Sequence, residues 1–213
     1  MEKILKNPLF FGTTADDIEK MMVCFDVQRK TFQEKETVSA FDTDSLGLLL
    51  EGSISINRIN IDGTLDMMEY LEDTGIFGAS LIFSAHDDAF IVICEKKCTV
   101  LFIDKFHITK RCQNACMHHT IVVQNLMQLM AEKVLTLTEK VDILSQRTIR
   151  GKLLCYFRIQ SIKHNSADFK LPFSLLALAN YLCIDRSAMM RELKKMKEEG
   201  LLSIEGKHVI LLP

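Results

Sequence analysis

Five side chains in the run RSAMMRELKK carry the most specific chemistry in this chain: Arg186, Ser187, Met190, Arg191 and Lys194. At helical spacing they share one face, while Met189, Leu193 and Met196, four and three apart, share the opposite one. A face of this kind suits the major groove of DNA, because the guanidinium fork matches the O6/N7 edge of guanine and also a phosphate. Met190 is the unusual member. An apolar side chain there either meets a thymine methyl group or is partly covered by protein. Ser174, just after Pro172, and Asp185 stand where a first and a second helix need N-caps, each with a side-chain oxygen for the free amides of the first turn. Lys195, Lys197, Lys207 and His208 would hold phosphates, which fixes register without reading sequence. Taken singly, each of these lysines reads as an ordinary solvated charge.

Other constellations are weaker. Cys112, Cys116 and His119 are spaced four and three apart, with His118 beside them. Two thiolates and an imidazole are ligands for zinc or ferrous iron, and thiols also report redox state. Three donors from one helix leave the fourth position to a neighbour that the sequence does not name, and buried thiols packed against a sheet are the simpler reading. No metal is therefore expected. Haem ligation through His107 or His86 has less behind it still. The chain has no GxSxG, P-loop, HExxH or paired-carboxylate spacing, so no enzyme is expected.

These side chains need a scaffold, and 213 residues at 48% hydrophobic content suffice for one large domain or two small ones. Runs such as LGLLL (Leu46 to Leu50) are far too short to span a bilayer, and the opening MEKILKNPLFFG has no secretory h-region. Seven cysteines without CxxC pairs read as reduced thiols, so a soluble cytoplasmic protein without membrane contact is expected. The net charge of −2 conceals an asymmetry: residues 1–138 carry 13 Lys+Arg against 20 Asp+Glu, residues 139–213 carry 13 against 8. The basic part contains the candidate recognition helix. Phosphate backbones reward such a patch through counterion release.

From Val38 to Ile103 the sequence is a succession of β-rich runs, with Asp62-Gly63 between two of them as a hairpin signal, and an antiparallel barrel or roll is predicted. The preceding DDIEKMMVCF reads as a helix on its open end. Between Gly78 and Gly151 there is no glycine, and between Pro8 and Pro172 no proline, so about Ile108 to Leu144 reads as one long helix. Leu126, Met130, Leu137, Val141 and Leu144 repeat at roughly heptad spacing, interrupted at Lys133, and Ile121, Val122 and Leu129 form a second stripe. Two stripes call for two partners: the roll, and the same helix of a second subunit. From Leu144 onward the order is helix, short strand, helix-turn-helix and terminal hairpin, the order of a winged helix.

LPFSLLALANYLCIDRSAMMRELKKMKEEGLLSIEGKHVIL resembles the winged helix of the Crp/Fnr transcription regulators. QNLMQLMAEKVLTLTEKVDILSQRTIRGKLLCYF is similar to their dimerisation helix and hinge, and LGLLLEGSISI, DGTLDMMEYLEDTGIFG and CTVLFID to their β roll. The resemblance implies an α+β fold: a cyclic-nucleotide-binding-type, jelly-roll-like β roll over 1–107, a long dimerisation helix and hinge over 108–141, and a winged helix-turn-helix over 142–213. It also implies a homodimer on an inverted-repeat site in double-stranded DNA, with RNA polymerase as a further partner where such a protein activates. Arg186, Ser187 and Arg191 fall on the family's base-reading positions, where cyclic-AMP-binding members carry Arg, Glu and Arg.

Departures qualify the resemblance. Cys183 replaces the usual turn glycine, and Leu175-Leu176 a polar pair often written Arg-Gln. Ser80 and Asp88-Ala89 stand near the positions at which cyclic AMP binders carry a glutamate and an Arg-Ser pair, and Asp88 would repel a phosphate. The expected effector is therefore a small molecule other than cyclic AMP, in a pocket lined by Phe77, Ser80, Leu81, Phe83 and Phe90. Cys24 is the only cysteine before the roll, which excludes the iron-sulfur cluster of the oxygen-sensing members. The expected mechanism is allosteric, with a signal in the roll biasing the hinge near Val141 to Leu144 and so the spacing of two recognition helices. The competing expectation is a ligand-binding dimer whose helix-turn-helix has degenerated and acts through protein partners, a reading favoured by Leu175, Leu176 and Met190.

Overall fold

The computed structural model describes residues 2–38, 45–78, 90–104, 107 and 117–212. The chain divides into two compact units, residues 1–59 with 69–133, and residues 60–68 with 134–213.

The first unit opens with helix α1 (Glu2–Leu5), a 3-10 turn (Pro8–Phe10) and helix α2 (Ala15–Cys24). Thr14 and Asp17 form a reciprocal capping box at the start of α2, which satisfies two amides that the first turn leaves free. Strands β1 (Gln28–Phe32), β2 (Ser45–Ile59), β3 (Leu65–Leu71), β4 (Ile76–Phe77) and β5 (Phe90–Asp104) follow. They form one sheet in the order β1-β5-β2-β3, with β4 also on β2. The β1–β5, β2–β5 and β2–β4 ladders are antiparallel. The turn predicted at Asp62-Gly63 joins β2 to β3, with Gly63 at φ +79°.

Register slips in the middle of the β2–β5 ladder decide which side chains face the core. Leu49 and Ile54 have opposite parity in sequence yet lie in one buried cluster with Ile56, Phe77, Val92 and Phe102, because the ladder shifts between Leu49 and Ile54. A bulge turns the chain over by one residue. Gly52 sits in that bulge at φ +93°, where a Cβ would come within 2.3 Å of the Lys97 carbonyl oxygen, so no other residue fits. Leu46, Leu48 and Leu50 meet the second cluster, together with Ile18 and Phe25 of the α2 region and Val122.

Helix α3 (Met117–Leu144) carries Val122 into that second cluster, and Leu126 and Leu129 pack against it. Here the structure differs from the expected stripes. Leu126 belongs to the inward side, and so does Lys133, which pairs with Glu69 on β3. Burial pushes the Glu69 carboxyl above its usual range despite that ammonium. Lys133 therefore does not interrupt the outer stripe. That stripe is Val123, Met127, Met130, Val134, Leu137 and Val141, all exposed and spaced 4-3-4-3-4.

In the second unit α3 ends at Leu144, and helix α4 (Ile149–His164) starts afresh with Thr148 as its N-cap. The chain turns at 145–148, a break that no glycine or proline marks. Strand β6 (Asp168–Lys170), helix α5 (Leu175–Tyr181), helix α6 (Arg186–Glu198) and strands β7 (Leu202–Glu205) and β8 (His208–Leu211) complete it. The three strands form an antiparallel sheet in the order β6-β8-β7. Its interior is aromatic: Tyr156 lies against Phe157, Phe173 and Tyr181, and Phe157 against Phe169. Met189, Leu193 and Met196 are buried in the same unit.

Candidate nucleic-acid interface

The two helices of the candidate reading head are started by side chains of the expected kind. Ser174 Oγ accepts from the Ala177 amide at 3.2 Å, and Asp185 Oδ1 from the Ala188 amide at 2.8 Å. Between them the chain turns through Cys183 at φ +50°, the left-handed conformation that a glycine would adopt without strain. Lys152 Nζ donates to the Leu182 carbonyl at 3.1 Å, which satisfies one acceptor that the end of α5 leaves open.

Helix α6 separates its two faces as the spacing predicts. Met189, Leu193 and Met196 are buried, whereas Arg186, Ser187, Met190, Arg191 and Lys194 are exposed. Neither Arg186 nor Arg191 forms an ion pair among the described residues. Lys194 lies 3.8 Å from Glu198, a loose exposed contact of little energetic weight. Ser187 Oγ donates to Asp185 Oδ1 at 2.6 Å, and this bond holds the Asp185 carboxyl below its usual range. The hydroxyl proton of Ser187 is thereby engaged within the helix cap.

Glu192 of α6 and Glu199 at its C-cap are neutralised by a residue that sequence reasoning missed. Arg150 of α4 donates to Glu192 at 2.6 Å and, in a two-pronged contact, to Glu199 at 2.7 and 2.8 Å. Those carboxylates hold the guanidinium protonated and draw their negative charge away from the row Arg186–Arg191–Lys194. The partners lie 42 and 49 residues away in sequence, beyond the reach of any local pattern.

In the wing, β7 and β8 are joined through Gly206 at φ +60° and Lys207. Lys207 Nζ is 3.4 Å from the Pro172 carbonyl, a long contact that ties it loosely to the segment before α5. His208 pairs with Asp168 at 2.5 Å across the β6–β8 ladder, so its imidazole is occupied within the sheet.

Of the residues expected to line an effector pocket, Phe77 and Phe90 fall within the described residues. Phe77 is buried in the roll cluster, edge-on to Phe102 at 6.3 Å between ring centroids. Phe90 is half-buried under the guanidinium of Arg58. Ser80, Leu81 and Phe83 lie outside the described residues, as do Asp88, Cys112 and Cys116. His119 packs edge-on to Phe25 at 5.2 Å. Among the described residues no group of three or more His, Cys, Asp or Glu side chains is placed to hold a metal ion. No helix among them is long and apolar enough to cross a membrane.

Comparison with solved structures places this arrangement. The c-di-GMP-responsive global regulator CLP of Xanthomonas campestris superposes with a TM-score of 0.72 at 19% identity, over 94% of this chain and 100% of that one. This is the fold of the Crp/Fnr regulators. A cyclic nucleotide-binding domain containing protein of Listeria monocytogenes superposes at 0.69 and 12% identity, over 91% of this chain and 97% of its own. A chain described as a transcriptional regulator of the Crp/Fnr family from Eubacterium rectale does so at 0.62 and 15%, over 96% and 94%. No family model matches the sequence, and no curated protein matches it either. At these identities the likeness is one of fold.

Proposed function

We propose that the chain is a homodimeric, DNA-binding transcription regulator of the Crp/Fnr type, acting on an inverted-repeat site in double-stranded DNA. The observation that carries this reading is the exposed row Arg186–Arg191–Lys194 on a helix capped at Asp185, with Glu192 of that helix and Glu199 at its C-cap held by Arg150 on another helix. Two exposed guanidinium groups in the first half of a helix-turn-helix recognition helix, neither in an ion pair among the described residues, are equipped for base edges and phosphates. Ser174 and Lys207 would contribute phosphate contacts. The exposed 4-3 stripe of α3 supports dimerisation, since six apolar side chains at heptad spacing on one face match the seam of a two-stranded coil.

In this proposal residues 1–107 sense the effector, 108–141 form the dimerisation helix and hinge, and 142–213 bind DNA. The effector is a small molecule other than cyclic AMP. It shifts a pre-existing balance between two placements of the recognition helices by binding one more tightly than the other. Activation would further require contact with RNA polymerase.

The test is binding of the full-length protein to a sequence-selected site, compared between wild type and Arg186→Ala/Arg191→Ala. Loss of sequence-specific binding by a still-folded, still-dimeric variant supports the assignment. Retained specific binding contradicts it. One observation favours a second reading, in which the helix-turn-helix contacts a protein: Leu176 on α5 and Met190 on α6 are half exposed. In that case neither protein would select a DNA site.

A further inference from the structure

We propose that Met190 is a specificity-determining residue that packs on the C5-methyl group of a thymine in each DNA half-site. The inference rests on the DNA-binding reading above and adds what the apolar member of the recognition face would recognise. Met189 and Met190 are neighbours with opposite fates: Met189 is fully buried, and Met190 is 41% exposed. The core of this unit therefore leaves Met190 outside. Its nearest neighbours along the helix surface are Arg186 and Lys194, four residues before and after it, and Ser187, three before. The face thus presents an apolar side chain between two cations.

A partner for such a face must be anionic at the flanks and apolar in the middle. The major groove of DNA meets both conditions. Its rims are phosphates, and among the base edges it displays, the thymine C5-methyl is the one apolar group. Methionine suits that contact, being unbranched, polarizable and able to adjust its torsions to a small methyl target. The other polar group on the face does not compete for the position. Ser187 has committed its hydroxyl proton to Asp185 at 2.6 Å and offers only acceptor lone pairs outward. A base opposite Ser187 would therefore present an amino group, as adenine and cytosine do.

The experiment uses the full-length protein and a duplex containing its selected site, with each thymine replaced in turn by deoxyuridine, which removes the C5-methyl and nothing else. Wild-type protein is expected to bind about fourfold more weakly when one particular thymine in a half-site is replaced, the worth of burying one methyl group. Met190→Ala is expected to bind both duplexes alike, and Arg191→Ala to bind more weakly overall while keeping the methyl preference. Met190→Ala leaves the buried stripe untouched, so the variant folds. Wild-type binding that is indifferent to every replacement, or a methyl preference that persists in Met190→Ala, would overturn the inference and leave the DNA-binding reading in place. Absence of any sequence-selective complex would overturn both.

Discussion

The ammonium of Lys140 lies 3.3 Å from the centroid of the Tyr181 ring and donates to two backbone carbonyls, that of Tyr181 and, at 3.0 Å, that of Met67. It is 5% exposed. Within the second unit it thus joins the hairpin 60–68, helix α3 and the end of α5. Two carbonyls and a ring face are good partners, but none is an anion, and burial lowers the Lys140 pKa to about 8. Cys183 and Asp66 act weakly the other way, and Lys152 adds to the lowering.

The sign of the consequence follows from linkage. The folded-state pKa is depressed below the ordinary lysine value of 10.5, so the unfolded chain binds more protons between about 8 and 10.5. The contribution of Lys140 to stability is therefore fully present above that window and is lost as pH falls through 8. Measured by urea unfolding, the stability of wild type relative to Lys140→Met should rise by roughly 3 kcal/mol between pH 7 and pH 10.5. A difference independent of pH would show that Lys140 is not a buried charge.

The outer stripe of α3 predicts its own disruption. Val134 is 61% exposed at the centre of the run from Val123 to Val141. Val134→Glu would set two carboxylates against each other across a two-fold seam. Sedimentation velocity should show a dimer that dissociates at least about tenfold more readily, with helical circular dichroism unchanged. A variant as dimeric as wild type would contradict the assignment of the seam.

Cys183 holds a left-handed backbone at φ +50° where its side chain is a burden. Relief of that conformation is worth about 1 kcal/mol. Cys183→Gly should accordingly raise the thermal midpoint by several degrees. A lowered midpoint would mean that the thiol, whose pKa burial raises, makes contacts worth more than the strain.

Lys207 tests the wing. Its contact with the Pro172 carbonyl is long, so the ammonium is available to a phosphate. In a symmetric dimer Lys207→Ala removes two such contacts. The slope of log affinity against log salt should fall by about 2 without a change in site preference. An unchanged slope would place the wing away from the DNA backbone.

The helix-turn-helix of α5 and α6 was legible in the sequence because its determinants are local. The caps at Ser174 and Asp185, the buried spacing of Met189, Leu193 and Met196, and the turn at Cys183 each lie within a few residues of what they specify. The long helix was legible in extent over 117–144 but not in orientation. Both of its stripes are apolar, and periodicity alone does not say which faces the roll. Leu126 and Lys133 go inward because Glu69, 64 residues away in sequence from Lys133, receives the ammonium. The end of the long helix at Leu144 was legible, but the next helix was expected to start there at once, whereas it starts only after Thr148, which caps α4 without any glycine or proline to announce it. The charge of the face proposed to meet DNA was only half readable. Glu192 and Glu199 count against it in sequence, and Arg150 removes them in space.

The central claim is that a dimer reads a two-fold-related DNA site through α6. The most direct measurement is a random-oligonucleotide selection with the purified full-length protein at moderate salt, with and without a cellular metabolite extract. The account predicts an enriched inverted repeat with half-site centres about one duplex turn apart, and dependence of enrichment on the extract. A folded dimer that enriches no sequence in either condition would contradict it.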